Sequence, residues 1–240
     1  MPEKPRLEVC LSPALLHLFD TKDTVTVIID VFRATSTIAA ALDNGALSVI
    51  PVAGVQECIE LGLRTPNSIT AGERDGKVAE GLEYGNSPAE YPRSFIAGKK
   101  LVLTTTNGTK LLHMVQDATV IITGSFLNLK AVCDFLIAQG KPVLLGCAGW
   151  KDRFNLEDTL FAGAVVAGIK DHFTVHCDSA RAAYVLHESV TGSYIDFLKD
   201  SSHYRRLSAY GLQADMEYCT TPNLHPVVPI LQGNELVVAQ

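Results

Sequence analysis

A three-layer α/β/α fold with a mixed, mostly parallel sheet is predicted from three observations. Strand-like and helix-like segments alternate through roughly the first 170 residues, the pattern of strands joined by helical crossovers. Several short runs, Val27-Ile28-Ile29 among them, are apolar at every position, as strands covered on both faces are. Polar turns follow these runs, and the helices end on stop signals such as Asn44-Gly45.

The elements follow in order. RLEVCLS reads as an edge strand, and SPALLHLF as a short helix with Ser12 as cap and Pro13 at its first position. TVTVIID is the first central strand, TSTIAAALDNGA a helix, LSVIPVA a strand and GVQECIELGLR a helix. SITAGER is a short strand leading into GERDGKVAEGLEYGNSP, residues 72–88, the longest polar, glycine-rich stretch of the chain. Loops of that length inside compact domains are usually functional or disordered, and this one is too rich in specific polar groups for a linker. KKLVLTT, ATVIITG and KPVLLGC read as strands; NGTKLLHMV and NLKAVCDFLIAQG read as the helices between them. After the loop AGWKDRFN comes the helix LEDTLFAGAVVAGIK. Residues of about 171–212 form a helix-rich C-terminal segment, and PVVPILQGNELVVAQ, with its prolines, reads as an edge strand. Residues 1–240 form one domain in this reading. A loose internal repeat of strand, Thr-rich turn, helix and strand relates VTVIIDVFRATSTIAAALDNGALSVIPVAG to KLVLTTTNGTKLLHMVQDATVIITGSF, compatible with a duplicated unit.

Composition narrows the function. Hydrophobic residues make up 47% and charged residues 19%, an ordinary globular balance. The net charge of −6 argues against nucleic acid as partner and requires attraction of an anion to be local. No apolar run is long enough to span a membrane, so no membrane partner is expected. The N-terminus lacks the apolar core of a signal peptide, and the six cysteines are scattered without a C-x-x-C pair. Both point to a cytoplasmic protein with reduced thiols.

Three polar turns fall at the carboxyl ends of predicted strands, where ligands bind in open α/β sheets: residues 30–37, 104–110 and 147–158. In the first, Thr35, Ser36 and Thr37 precede a helix, and Arg33 offers a planar fork for an oxyanion. Hydroxyls there also serve as plain helix caps. Asp30 would repel an anion unless a cation lay between them, so it is a candidate magnesium (Mg2+) ligand, with Glu73, Glu157 and Asp158 as further oxygen donors. Glu157 and Asp158 also suit the first turn of a helix as dipole partners. Two weaker patterns compete. Cys147 and Arg153 have the C-x5-R spacing of cysteine phosphatases, although Phe154 and the acids beyond it do not suit a bound phosphate. His172 and His176 are four apart, with no third zinc ligand in evidence.

DVFRATSTI, GERDGKVAEGLEYGNSP, TTTNGT and CAGWKDRFNLEDTLFAG, in that order, resemble the signature blocks of the 2-phosphosulfolactate phosphatase family, over about residues 25–165. The resemblance implies a three-layer α/β/α fold. It also implies magnesium-dependent hydrolysis of 2-phospho-3-sulfolactate, or a related small phospho-hydroxy acid, to 3-sulfolactate and phosphate, a step of coenzyme M biosynthesis in methanogens. Such a small anionic phosphorylated substrate carries a phosphate, a carboxylate and a sulfonate, so it needs several cationic or N–H-rich pockets beside a metal. On the matching positions, Asp30 and Arg33 are expected to be catalytic. Thr35, Ser36, Thr37, Arg74, Asn86, Ser87, Asn107, Gly108 and Thr109 are expected to hold the substrate's oxyanions. A cysteine phosphatase using Cys147, and a non-catalytic binding module for small phospho- or sulfo-acids, are the alternatives. A homo-oligomer is compatible with the sequence.

Overall fold

The computed structural model describes residues 3–74, 76–105 and 108–240, and of Thr109 only the backbone. The chain starts in β1 (Arg6–Cys10), turns through a 3-10 segment capped by Ser12, and enters β2 (Val25–Ile29). Helix α1 (Ala34–Asp43) carries it across to β3 (Ser48–Val52). There α2 (Val55–Arg64), β4 (Ser68–Arg74), β5 (Lys77–Val78), α3 (Arg93–Ile96) and β6 (Lys100–Thr104) build one half of the sheet. Helix α4 (Gly108–Met114) carries the chain back. The other half is then completed by β7 (Val120–Gly124), α5 (Leu129–Gln139), β8 (Val143–Cys147), α6 (Leu156–Ile169), β9 (Thr174–Val175) and α7 (Asp178–Glu188). Three short helices follow, α8 (Tyr194–Leu198), α9 (Ser202–Ser208) and α10 (Gln213–Cys219). A hairpin of β10 (Pro229–Gln232) and β11 (Glu235–Val238) ends the fold.

The sheet order among the described residues is β5-β4-β6-β3-β11-β10-β7-β2-β8-β1-β9. Strands β4, β6 and β3 are parallel to one another, as are β7, β2, β8 and β1. The hairpin joins the two blocks by antiparallel pairings to both β3 and β7. The sheet is therefore mixed and mostly parallel, as expected, and helices cover both faces. Along β2, Val25, Val27 and Ile29 pack with Val132 and Leu136 of α5 and Leu160 and Val165 of α6. Ile28, on the opposite face, packs with Ile38 and Leu42 of α1 and Leu111 of α4. This is the two-residue alternation of a strand buried on both sides. Helix α6 is apolar around nearly its whole circumference because α7 covers the side turned away from the sheet. The two helices approach so closely that a Cβ at Gly163 would lie 2.0 Å from the carbonyl oxygen of Ala183.

Two expectations change. The C-terminal tail is not an edge strand. Its prolines fit because Pro229 only opens β10, where a missing N–H costs least. Strand β1 is close to an edge, but β9 pairs with it over Arg6 and Leu7. The polar stretch after β4 folds back on that strand, with Gly72 N–H donating to Tyr84 O and Glu83 N–H to Thr70 O. The two blocks run in opposite senses by connectivity, yet their carboxyl ends meet. The turns after β2, β6 and β8 line one cleft.

The central position of the hairpin is testable. Leu236 is fully buried and opposite Val49. Replacing it with Ala should cost about 2–4 kcal/mol in denaturant unfolding, as at other core leucines. A loss below about 1 kcal/mol would return the tail to an edge.

Candidate active site

The three polar turns meet at one cleft. Asp30, Phe32 and Arg33 line it from the turn after β2, Thr105 from the turn after β6, and Trp150 from the turn after β8. Glu73, Gly76 and Asn86 add the glycine-rich stretch. The fourth wall was not foreseen: His203, Arg206, Leu207 and Tyr210 come from α9 and the residues after it.

Asp158, in the first turn of α6, holds two of these turns together. Its Oδ1 accepts the N–H of Val31 at 2.9 Å and its Oδ2 the N–H of Gly149 at 3.0 Å. Asp30 lies just before α1, and the backbone N–H of Ala34 at the start of that helix favours its charged form, against burial. The turn before α4 comes equally close, since a Cβ on Gly108 would lie 3.0 Å from Asp30 Oδ2 and 3.3 Å from Ala34 Cβ. Only a glycine fits there without displacing the carboxylate.

The expected substrate-binding residues divide into groups. Thr35, Ser36 and Thr37 are buried, and their hydroxyls donate to protein carbonyls: Thr35 to Asp30 O and Gly124 O, Ser36 to Val31 O, Thr37 to Asn86 O. They close the loops instead of offering donors to an anion. Arg33 lines the cleft but is ion-paired with Asp215, which also accepts the hydroxyl of Ser87 at 2.8 Å. Ser87 thus reaches the site through Asp215. Asn86 lines the cleft, and its buried Oδ1 has no hydrogen-bond partner among the described residues. Arg74 does not line the cleft; it binds Glu73 O and Thr104 Oγ1, because neighbours on a strand point to opposite faces and Glu73 takes the cleft side. Gly108 lies beside Asp30, the Thr109 side chain is not described, and Asn107 lies outside the described residues.

The acids crowd together. Burial pushes the Asp30 carboxyl up to about 7, and the charges of Glu73 and Glu157 push the same way, against the pull of His203. Asp158 is raised well above the usual carboxylate range by burial and by Glu157 and Asp30. Glu157 is fully buried; its Oε1 meets His203 Nδ1 at 2.5 Å and its Oε2 has no hydrogen-bond partner among the described residues. Among the described residues no three His, Cys, Asp or Glu side chains form a group that could hold a metal ion unaided. The donor set is nonetheless all hard oxygen, with an orphaned carboxylate oxygen and too little positive charge. Magnesium commonly uses one or two carboxylates and completes its shell with water and phosphate oxygens, so the residues fit it.

Comparison with known proteins decides the family. The model of the 2-phosphosulpholactate phosphatase family matches residues 10–234. The chain belongs to that family. It is 44% identical over 214 residues to a probable 2-phosphosulfolactate phosphatase of Thermotoga petrophila, covering 89% of this chain and 92% of that one. It is 42% identical to the protein so named from Thermotoga maritima, with the same coverage. The one from Caldanaerobacter subterraneus is 36% identical, over 92% of this chain and 93% of its own. The family is one of phosphoric monoester hydrolases, so the cleft belongs to an enzyme.

In this phosphatase Cys147 does not meet the needs of a nucleophile. It ends β8, is fully buried in the core, and its thiol is pushed well up by burial and by the charge of Asp158. A protonated, enclosed thiol is a poor attacker. Arg153, the other half of the C-x5-R pattern, is exposed. Cys147→Ser should keep at least about a third of wild-type kcat while losing about 1–2 kcal/mol of stability for a buried hydroxyl. A thousandfold loss in a folded variant would reinstate the thiol.

The raised carboxyls fix a pH dependence for the metal-free protein. An acid whose folded-state pKa exceeds its unfolded value is stabilised in its protonated form, so the folded state binds more protons between about 4 and about 7. Stability therefore falls as pH rises through that window. In thermal melts of EDTA-treated protein, Tm should drop between pH 5 and pH 8, and magnesium should recover more of it at pH 8. A Tm that rises over this range would contradict the charge crowding.

Proposed function

We propose that this phosphatase hydrolyses 2-phospho-3-sulfolactate, or a closely related small phospho-hydroxy acid, to 3-sulfolactate and inorganic phosphate, with magnesium as cofactor. The observation that carries the reading is Asp30: a buried carboxylate, rigid at the end of a central strand, lining a cleft shared with Glu73, Arg33 and Arg206. The names of the relatives supply the substrate. The six unpaired cysteines support a cytoplasmic setting.

Asp30 and Glu73 would hold the magnesium ion, with Glu157 as the nearby third carboxylate; Asp158 keeps its two backbone bonds and serves position. When bound, the ion offsets phosphate charge and lowers the pKa of a coordinated water. The chain's own residues do the rest. Arg33, kept in place by Asp215, faces the cleft as a counter-charge for the phosphoryl oxygens. Asn86 contributes an amide, and Gly108 keeps space beside Asp30. In-line attack of water forms a new P–O bond and breaks the ester P–O bond, and the leaving alkoxide takes up a proton to become the 2-hydroxy acid. Such a reaction asks mainly for positioning and charge compensation, which this cleft supplies.

Asp30→Asn removes the charge and leaves the shape nearly intact. Its kcat should fall at least a hundredfold at ordinary magnesium concentrations, with a cooperative thermal melt retained. EDTA should abolish wild-type turnover, and magnesium restore it. Wild-type-like turnover by the folded variant would end the assignment.

A further inference from the structure

Helix α1 is held at both ends by one short helix, α10. At the start of α1, Arg33 stands in the N-cap position and is only 5% exposed. A cation is costly there, because a helix begins on its positive pole and burial strips water from the charge. Asp215, in the first turn of α10, meets it. Its Oδ2 accepts from Arg33 Nη1, and its Oδ1 accepts the hydroxyl of Ser87 at 2.8 Å. One carboxylate oxygen thus serves the turn after β2, and the other serves the glycine-rich stretch. Arg33 itself lines the cleft, and among the described residues Asp215 is its one carboxylate partner.

At the other end, Asp43 is the last residue of α1, and Tyr218 lies three residues after Asp215 on α10. His225 joins the two. Its Nδ1 lies 2.8 Å from Asp43 Oδ2, and its Nε2 lies 2.7 Å from the Tyr218 hydroxyl. An ionised carboxylate only accepts, so in the neutral ring Nδ1–H donates to Asp43 and the Tyr218 hydroxyl donates to Nε2. His225 is fixed in turn. It is buried, and its backbone N–H donates to Leu127 O at 2.9 Å. Asn223 N–H donates to Phe126 O, and Asn128 Nδ2 to Val227 O. The remaining face of α10 carries Met216 and Cys219, fully buried in the core that also holds Phe32. The helix is packed on one side and bonded to both ends of α1 on the other.

We infer that α10 is a brace for α1, and that Asp215, backed by Tyr218, His225 and Asp43, is a positioning residue that aims Arg33 at the phosphoryl oxygens. The inference rests on the function proposed above, in which Arg33 is the counter-charge for those oxygens. None of the four brace residues lines the cleft or belongs to the signature blocks, so they act through Arg33. A guanidinium displaced by about 1 Å still attracts a dianion but no longer meets the transferring group, so lost aim lowers kcat more than it raises KM.

On 2-phospho-3-sulfolactate, Asp215→Ala should lower kcat/KM about ten- to a hundredfold, mainly through kcat. Asp215→Asn keeps an acceptor for Arg33 and gains a donor for Ser87 Oγ, so it should recover all but about three- to fivefold of that loss. His225→Phe should cost about three- to tenfold with the same weighting, since its partners Asp43 and Tyr218 are partly exposed and can turn to water. In an Arg33→Gln background neither Asp215→Ala nor His225→Phe should lower kcat/KM by more than about twofold further, because nothing remains to be aimed. Thermal melts check folding, and where Asp215→Ala does not fold, His225→Phe carries the test. Losses that add in full to that of Arg33→Gln, an Asn variant as impaired as the Ala variant, or wild-type kcat in the brace variants would overturn the inference. NMR of protein with isotope-labelled arginine separates it from the functional reading. The Arg33 side-chain signal, assigned by its loss in Arg33→Gln, should be sharp and slow to exchange in the wild type and broadened in both brace variants. If the wild type turns over no ester while that pattern holds, the hydrolysis reading falls and the brace stands. If turnover is present and the Arg33 signal is the same in every variant, the brace falls and the hydrolysis reading stands.

Discussion

Everything in the cleft depends on Asp158. A carboxylate enclosed in protein loses its hydration, and burial raises its pKa accordingly. Two backbone N–H groups, from turns that follow adjacent parallel strands, offset part of that cost. Val31 follows Asp30, and Gly149 precedes Trp150. One buried side chain therefore sets the distance between Asp30 on one side of the cleft and Trp150 on the other. Losing it would leave two buried amides unpaired and both turns free to move, a cost far larger than that of a surface ion pair.

The layered fold could be read from the sequence because buried strands advertise themselves. Val27-Ile28-Ile29 and Val143-Leu144-Leu145 are apolar on both faces, and a polar turn and then a helix follow each strand. The hairpin could not be read as central. Its Gly233-Asn234 turn is a hairpin signal that the two prolines overshadowed. Pairing with β3 and β7 brings in strands from distant parts of the chain, and no local pattern encodes that choice.

The site was legible where function and chain order coincide. Asp30, Arg33, Glu73 and Asn86 stand in the signature blocks and line the cleft. The three hydroxyls of residues 35–37 misled because a Ser or Thr before a helix serves either an anion or the protein's own carbonyls, and only packing shows which. Arg74 misled because strand alternation lets one of two adjacent residues face the cleft, and the sequence does not say which. His203, Arg206 and Asp215 were missed because they enter from helices late in the chain. The available clue was a cluster of basic side chains, His203 with Arg205-Arg206, in an otherwise acidic protein.

The central hairpin also governs how the molecule can assemble. Among the described strands, each parallel block closes on itself with neighbours joined over four or five aligned residues. The seam between the blocks has one aligned residue on each side of the hairpin. Contacts that join distant parts of a sequence form late, because loop closure must come first. The block of β3, β4 and β6 draws on one stretch of the chain, whereas the block of β7, β2, β8 and β1 joins residues as far apart as Leu7 and Val143, so it closes loops as long as those of the hairpin. The cleft, which takes residues from both blocks and from α9, is therefore complete only when all of these distant contacts have been made.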